Sequence, residues 1–182
     1  MSELDEKLVQ SAKGGNVEAF DNLVSLHQER VHALAYRILG NLDDAADVQQ
    51  ETFVRAWQNL RKFRGEAQFS TWLHRIAVNL CLSMKRRRNP AADESFAEDR
   101  YVPHTAVACP EKTETIAVLR RVLAAMPAHH RILVVLRDME GRSFEEIAGV
   151  LGCSAASART RLCRARRLLR DRMRPYIEEV AE

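Results

Sequence analysis

The sequence predicts an all-α chain of two small helical domains joined by a flexible linker, and three observations carry that prediction. The first 89 of 182 residues contain no proline and the whole chain has only seven glycines, so little interrupts helical periodicity. Apolar residues recur at spacings of three, four and seven, while clean alternation of strand length is missing. Residues 89–112 then change character, with prolines at 90, 103 and 110, small residues, and acids at Asp93, Glu94, Glu98 and Asp99. Such a stretch buries too little apolar surface to fold alone and reads as a linker. The expected boundaries are therefore a first domain over 1–88, the linker over 89–112 and a second domain over 113–182.

In the first domain, Val17 to Leu39 carries Phe20, Leu23, Val24, Val31, Leu34, Ala35 and Ile38 on one face, as a core-facing helix does, and Gly40 ends it. Asn41 is placed to cap a helix running to about Leu60, with Asp43 and Asp44 in its first turn, where the dipole favours carboxylates. On that helix Ala46, Gln49, Phe53 and Trp57 form one face, and Asp44, Asp47, Val48, Glu51 and Arg55 form the opposite, acidic one. By itself the acidic stripe is compatible with plain solvation. After FRGEAQFSTW, Ser70 is available to cap Thr71 to Arg88, whose inward stripe is Leu73, Ile76, Ala77, Leu80 and Met84. The other side sets Val78 and Leu82 beside Arg75 and Asn79, and the helix ends in Lys85-Arg86-Arg87-Arg88. Exposed apolar groups next to an amide and a cationic cluster suit unstacked bases and a phosphate backbone. The alternative is that Asn79 bonds within the fold while Val78 and Leu82 pack on the linker or the first helix.

In the second domain, periodicity returns from Thr113 with Ile116, Leu119, Val122 and Leu123, and Pro127 precedes an apolar helix containing Ile132, Leu133, Val135 and Leu136. His129 and His130 fall at that helix start, where exposure or capping is expected. The stretch SFEEIAGVLGCSAASARTRLCRAR then reads as a helix-turn-helix. Ser143 and Glu146 form a capping-box pair, Gly152 stops the first helix, and Ser154 caps the second. Ala158, Leu162, Ala165 and Leu169 share one face of that second helix, opposite Ala156, Arg159, Thr160, Cys163 and Arg167. From Arg159 to Arg174 there are eight arginines against one aspartate, so the net charge of +3 conceals strong segregation. A helical hairpin with a solvated basic face would more often intersperse both signs, and the pattern points to nucleic acid, with Arg159 placed for the groove and Arg164 and Arg167 for phosphates.

Four cysteines show neither CxxC spacing nor a paired histidine cluster, and His104 with Cys109 lacks two further ligands, so no metal or other cofactor is expected. An N-terminal apolar export segment is missing, which implies a reducing cytoplasm and no membrane insertion. No nucleophile, activated carboxylate pair or phosphate loop is found, so no catalytic residue is assigned and enzymatic chemistry is not expected.

Taken in order, DDAADVQQETFVRAW, FRGEAQFSTWLHRIAVNLCLSMKRRR and MPAHHRILVVLRDMEGRSFEEIAGVLGCSAASARTRLCRAR resemble bacterial extracytoplasmic-function (group 4) sigma factors over nearly the whole chain. The resemblance implies a sigma region 2-like domain and a region 4-like helix-turn-helix that bind core RNA polymerase and direct it to particular promoters in a stress or envelope response. By position it assigns core binding to Asp44, Asp47, Gln50 and Glu51. It assigns the melted minus-10 element to Arg75, Asn79, Lys85, Arg86, Arg87 and Arg88, and the duplex minus-35 element to Ser157, Arg159, Thr160, Arg161, Arg164 and Arg167. An anti-sigma factor is a candidate further partner. A second reading is a polymerase-independent regulator that binds duplex DNA through the helix-turn-helix while residues 1–89 sense a signal or dimerise. A nuclease would need clustered metal-binding carboxylates, and the only dense set, Asp43, Asp44, Asp47 and Glu51, is spread along a helix face.

Overall fold

A computed structural model describes residues 3–88 and 112–178, and every element in them is helical. The expected linker lies outside the described residues except for Lys112, which opens a helix. The first half comprises α1 (Glu3–Lys13), α2 (Val17–Leu39), α3 (Leu42–Asn59) with a 3₁₀ turn at Leu60–Lys62, and α4 (Phe69–Arg88). The second comprises α5 (Lys112–Ala125), α6 (Ala128–Val134), α7 (Phe144–Leu151) and α8 (Ala155–Glu178).

The ends follow local chemistry. Asn16 accepts from Ala19 N (3.1 Å) at the start of α2, and Gly40 at φ 77° closes that helix by donating to Tyr36 O. Asn41 then accepts from Asp44 N (3.0 Å) to start α3. Helix α4 starts one residue before the expected cap, because Phe69 is fully buried and belongs to the core. Beyond α6 the chain makes a π turn over Val135–Met139, in which Glu140 N–H reaches back five residues to Val135 O (2.9 Å).

The first half packs α4 against α2 and α3, burying Leu23, Leu34, Ile38, Leu73 and Ala77 completely. The second packs α8 on α6 and α7 through Ala158, Leu162 and Ala165. These are not separate cores: one buried cluster runs from Val9 through Ile132 and Leu136 to Ala165.

Polar groups join the halves as well. Arg131, 1% exposed, donates to Ile38 O at the end of α2 and to Ala124 O and Met126 O (2.9 Å) at the end of α5. Arg142 donates to Glu146 (2.7 Å) and to His74 Nδ1 (3.2 Å), and Thr71 Oγ1 donates to the same glutamate (3.2 Å). Arg37 pairs with Glu140. His130, expected to be exposed or to cap the helix start, is buried with its ring tilted against that of His129 at 4.2 Å, because α6 enters the core from its first turn.

Burial, and then Arg142, pushes the His74 imidazole down from 6.5 to about 3, so it is neutral and accepts through Nδ1. The titratable and charged groups around it are Arg142, His27, Glu146 and Arg30. Burial raises the Glu146 carboxyl, but the Ser143 N–H, Arg142 and Thr71 together outweigh it and hold it below 4.5. In both cases the folded chain binds fewer protons than the unfolded one. Stability present above pH 6.5 should therefore be lost as pH falls towards 3, first through His74 and below 4.5 also through Glu146, at up to about 1.4 kcal/mol per pH unit per proton. Urea melts at pH 7 and pH 5 should differ measurably in the wild type and much less in His74→Gln.

Candidate nucleic-acid and protein interfaces

Three surfaces carry the residues singled out by sequence. The first is α8 in the helix-turn-helix. Ser143 Oγ accepts from Glu146 N (3.1 Å) while Glu146 accepts from Ser143 N (2.9 Å), which fixes the start of α7. Gly152, at φ 64°, turns the chain, and Ser154 Oγ accepts from Ser157 N (3.1 Å) to start α8. With Ala158, Leu162 and Ala165 against the core, the far side of α8 exposes Arg159, Thr160, Arg164 and Arg167, while Ser157 and Arg161 are half-buried at its margin. The Arg159 guanidinium lies 4.8 Å from the centre of the Phe144 ring, as does that of Arg137, so a cation–π contact aims Arg159 along the groove between α7 and α8. That groove, about 380 Å³, also brings in Arg166 and Arg170. Arg166 is engaged with Asp138 (Nε to Oδ2 3.1 Å), an ion pair that the helical period alone could not reveal.

The second surface is the outer side of α4. Arg75 and Asn79, one turn apart, are both exposed, as are Arg86, Arg87 and Arg88. Lys85 is only half-exposed; burial, then the proximity of Arg131, lowers its pKa. Val78 is fully buried and Leu82 partly so, which corrects their expected place beside Asn79. The reason is that α4 has two covered sides. Val78 falls on the stripe of Thr71 and His74, whose polar atoms meet Glu146 and Arg142 from the second half.

The third surface is α3, where the expected two-face division is also corrected. Val48, assigned to the acidic face, is 2% exposed in the core, and Asp44 is 6% exposed. Asp44 receives both Nη1 and Nη2 of Arg88, the latter at 2.6 Å, and so ties the start of α3 to the end of α4. Asp47 and Gln50 are exposed, and Glu51 is half-buried and accepts from Arg55 Nε (2.7 Å). Trp57, placed on the face opposite the acidic one, is 39% exposed, with its ring 4.9 Å from that of Phe20. With Val17, Val24, Phe53 and Val54 these rings line a mostly apolar groove of about 590 Å³ between α2 and α3, beside Gln50. Exposed apolar residues amid a polar helix face were the signal for it.

Among the described residues no group of three or more His, Cys, Asp or Glu side chains is placed to hold a metal, and no helix is long and apolar enough to cross a membrane.

Residues 23–90 match the family described as Sigma-70 region 2, and residues 116–169 that described as Sigma-70, region 4. The chain is 38% identical over 168 residues to the ECF RNA polymerase sigma factor SigE of Mycolicibacterium smegmatis, covering 90% of this chain and 65% of that protein. It is 33% identical to the RNA polymerase sigma-H factor of Pseudomonas aeruginosa, over 97% of each. The ECF RNA polymerase sigma factor SigW of Bacillus subtilis is 31% identical, over 96% of this chain and 99% of that one. Among solved structures, CnrH in complex with the cytosolic domain of CnrY superposes with a TM-score of 0.68 at 31% identity, over 92% of this chain and 95% of CnrH.

The different surroundings of two neighbouring aspartates have a measurable consequence. Asp44→Asn should lower the melting temperature, because the Arg88 contact and the first turn of α3 both use its charge. Asp47→Asn, on an exposed face, should change stability by less than about 0.5 kcal/mol. Thermal melts of the two variants side by side check this.

Proposed function

The chain belongs to the extracytoplasmic-function sigma factors, subunits that bind core RNA polymerase and direct it to promoters, and from that premise we propose which of its surfaces performs each task. Region 2-like residues 1–88 dock on core polymerase through α3 and read the melted minus-10 element through α4. Region 4-like residues 113–182 read the duplex minus-35 element through α8, and residues 89–112 join the two. On α3 the contacts are Asp47, Gln50 and Glu51, while Asp44 supports them by fixing the helix start. On α4, Arg75 and Asn79 face the unpaired bases. An amide both donates and accepts, which suits reading a base edge, and Arg86 and Arg87 supply phosphate charge. Lys85 and Arg88 belong at the edge of this surface, since one is partly covered and the other holds Asp44. On α8, Arg159 and Thr160 address the groove, and Ser157, Arg161, Arg164 and Arg167 flank it.

The observation that carries the reading is the division of α8 into a buried Ala158-Leu162-Ala165 stripe and an opposite arginine face at the second position of a helix-turn-helix. Bond making is left to the polymerase, and the chain is read as non-catalytic, free of cofactors and cytoplasmic, serving an envelope or stress response. The resemblance makes an anti-sigma factor a candidate partner, and CnrH having been solved in complex with a domain of another protein, the cytosolic domain of CnrY, supports a protein partner for this chain as well.

Run-off transcription with purified core polymerase on a promoter library tests the whole reading, since a polymerase-independent regulator would bind duplex DNA but yield no core-dependent transcript. In the same assay Asp47→Lys with Glu51→Lys should weaken core binding at least tenfold while the variant melts near wild type. Equal core affinity would reject the α3 assignment. For α8, Arg159→Ala should cost about 1 to 3 kcal/mol and relax preference at one base pair. Arg167→Ala should instead weaken all sequences alike and lower the salt slope by about one unit. Binding isotherms at several salt concentrations separate the two signatures.

A further inference from the structure

Phe144 opens α7 and is half-buried against the core, yet its ring also meets two cations, one from before it in the chain and one from after. The guanidinium carbons of Arg137 and Arg159 each lie 4.8 Å from the ring centre. The ring is well fixed, because the Ser143–Glu146 capping box sets the backbone beside it. Arg137 is fixed too, since it donates to Arg142 O (2.6 Å). Two like charges drawn to one ring repel each other. Of the pair, Arg159 stands on the exposed side of α8 and is the one able to leave.

Arg166 shows the other way to hold an arginine in this groove. Two helical turns beyond Arg159, it shares a face of α8 with it and lines the same cavity. Its Nε and Nη2 both donate to Asp138, the first at 3.1 Å. A guanidinium gripped in that fashion has its fork occupied, and reading a guanine edge or a phosphate would first require breaking an ion pair. A ring offers no lone pair to accept from, so the cation above Phe144 is restrained while its N–H donors stay available. That combination suits a reader. Orientation set before binding reduces the side-chain freedom lost on contact, and donors left unused remain for the base.

Resting on the assignment of α8 to the duplex minus-35 element, we propose that Phe144 is a positioning residue for base discrimination: its ring presets Arg159 over the groove, and its contribution to recognition runs through that arginine alone. Arg166, held by Asp138, is by the same argument a strut between α8 and the π turn and not a reader. An exposed cation–π contact corresponds to a factor of about two to five in an equilibrium constant, which sets the discrimination that the ring can supply. A ring that served only to pack α7 would act differently. Its loss would weaken binding to every promoter alike and would not depend on what stands at position 159.

The test is a double-mutant cycle with the full chain in holoenzyme, titrated on promoter duplexes that differ at the base pair whose preference Arg159→Ala relaxes. Phe144→Leu keeps an apolar side chain against the core but removes the ring, and should lower that preference about two- to fivefold while leaving preference at other positions unchanged. Phe144→Tyr restores the ring and should restore the preference. In the Arg159→Ala chain, Phe144→Leu should change nothing further, because no guanidinium is left to position. The proposal is overturned by an equal loss in both backgrounds, by a loss spread evenly over all promoters, or by an Arg159→Ala chain that relaxes no base pair. Failure of the sigma-factor reading looks different: no chain would yield a core-dependent transcript, and the same cycle titrated on duplex without core would still decide whether Phe144 acts through Arg159.

Discussion

The buried guanidinium of Arg131 is the constraint around which the two halves are arranged. A cation removed from water is retained only where it meets compensating charge or dipoles. Here those are Ile38 O and Ala124 O in the last turns of α2 and α5, and Met126 O just past the end of α5. Helix C-termini carry partial negative charge, so one side chain serves as a common cap for two helices from opposite halves. Burial and then Arg172 push the group down to about 10, still protonated at neutral pH, so the cap is charged wherever the protein works. With α5 and α2 ending at the same guanidinium, α6 must run along α2, and the helix-turn-helix that follows is delivered to the side of α4.

The three interfaces are thereby mechanically related. Arg88 holds Asp44, so the basic end of α4 is attached to the start of α3. The helix proposed to dock on polymerase and the helix proposed to read unpaired bases are thus tied end to end. Nearer the start of α4, Thr71 and His74 face the second half, while Arg75 and Asn79 stay exposed. A helix enclosed on two sides is rigid, and rigidity suits a reader, since little conformational freedom is lost when a base is bound.

Much of this was legible in the sequence. The Ser143–Glu146 box, Gly40, Gly152, Asn41 and Ser154 all act where spacing placed them, because capping is decided within four residues. The core stripe of α8 was legible for a related reason: alanine and leucine every three or four residues on an arginine-rich helix leave one face to bury. What failed were positions whose surroundings come from elsewhere in the chain. Val78 and Val48 are buried by partners distant in sequence, Asp44 is neutralised by a residue 44 positions later, and Trp57 stays half out because α2 does not close over it. His74 and Arg131 gave no signal at all, as a polar residue within an apolar run is read as an interruption until its acceptors are known. The family resemblance nominated the surfaces, but which of the nominated residues are exposed and which are engaged within the fold depended on tertiary contacts.

The π turn at Val135–Met139 has a consequence for the relation between the halves. A five-residue return holds one residue more than an α-turn, so the residue that closes it, Glu140, is advanced by about 100° around the axis of the turn. That advance brings Glu140 to Arg37 and Arg142 towards His74. Removing one residue at this point would leave the hydrophobic patterns of both halves intact, yet it would withdraw Glu140 from Arg37 and Arg142 from His74 and so loosen the fit of one half on the other.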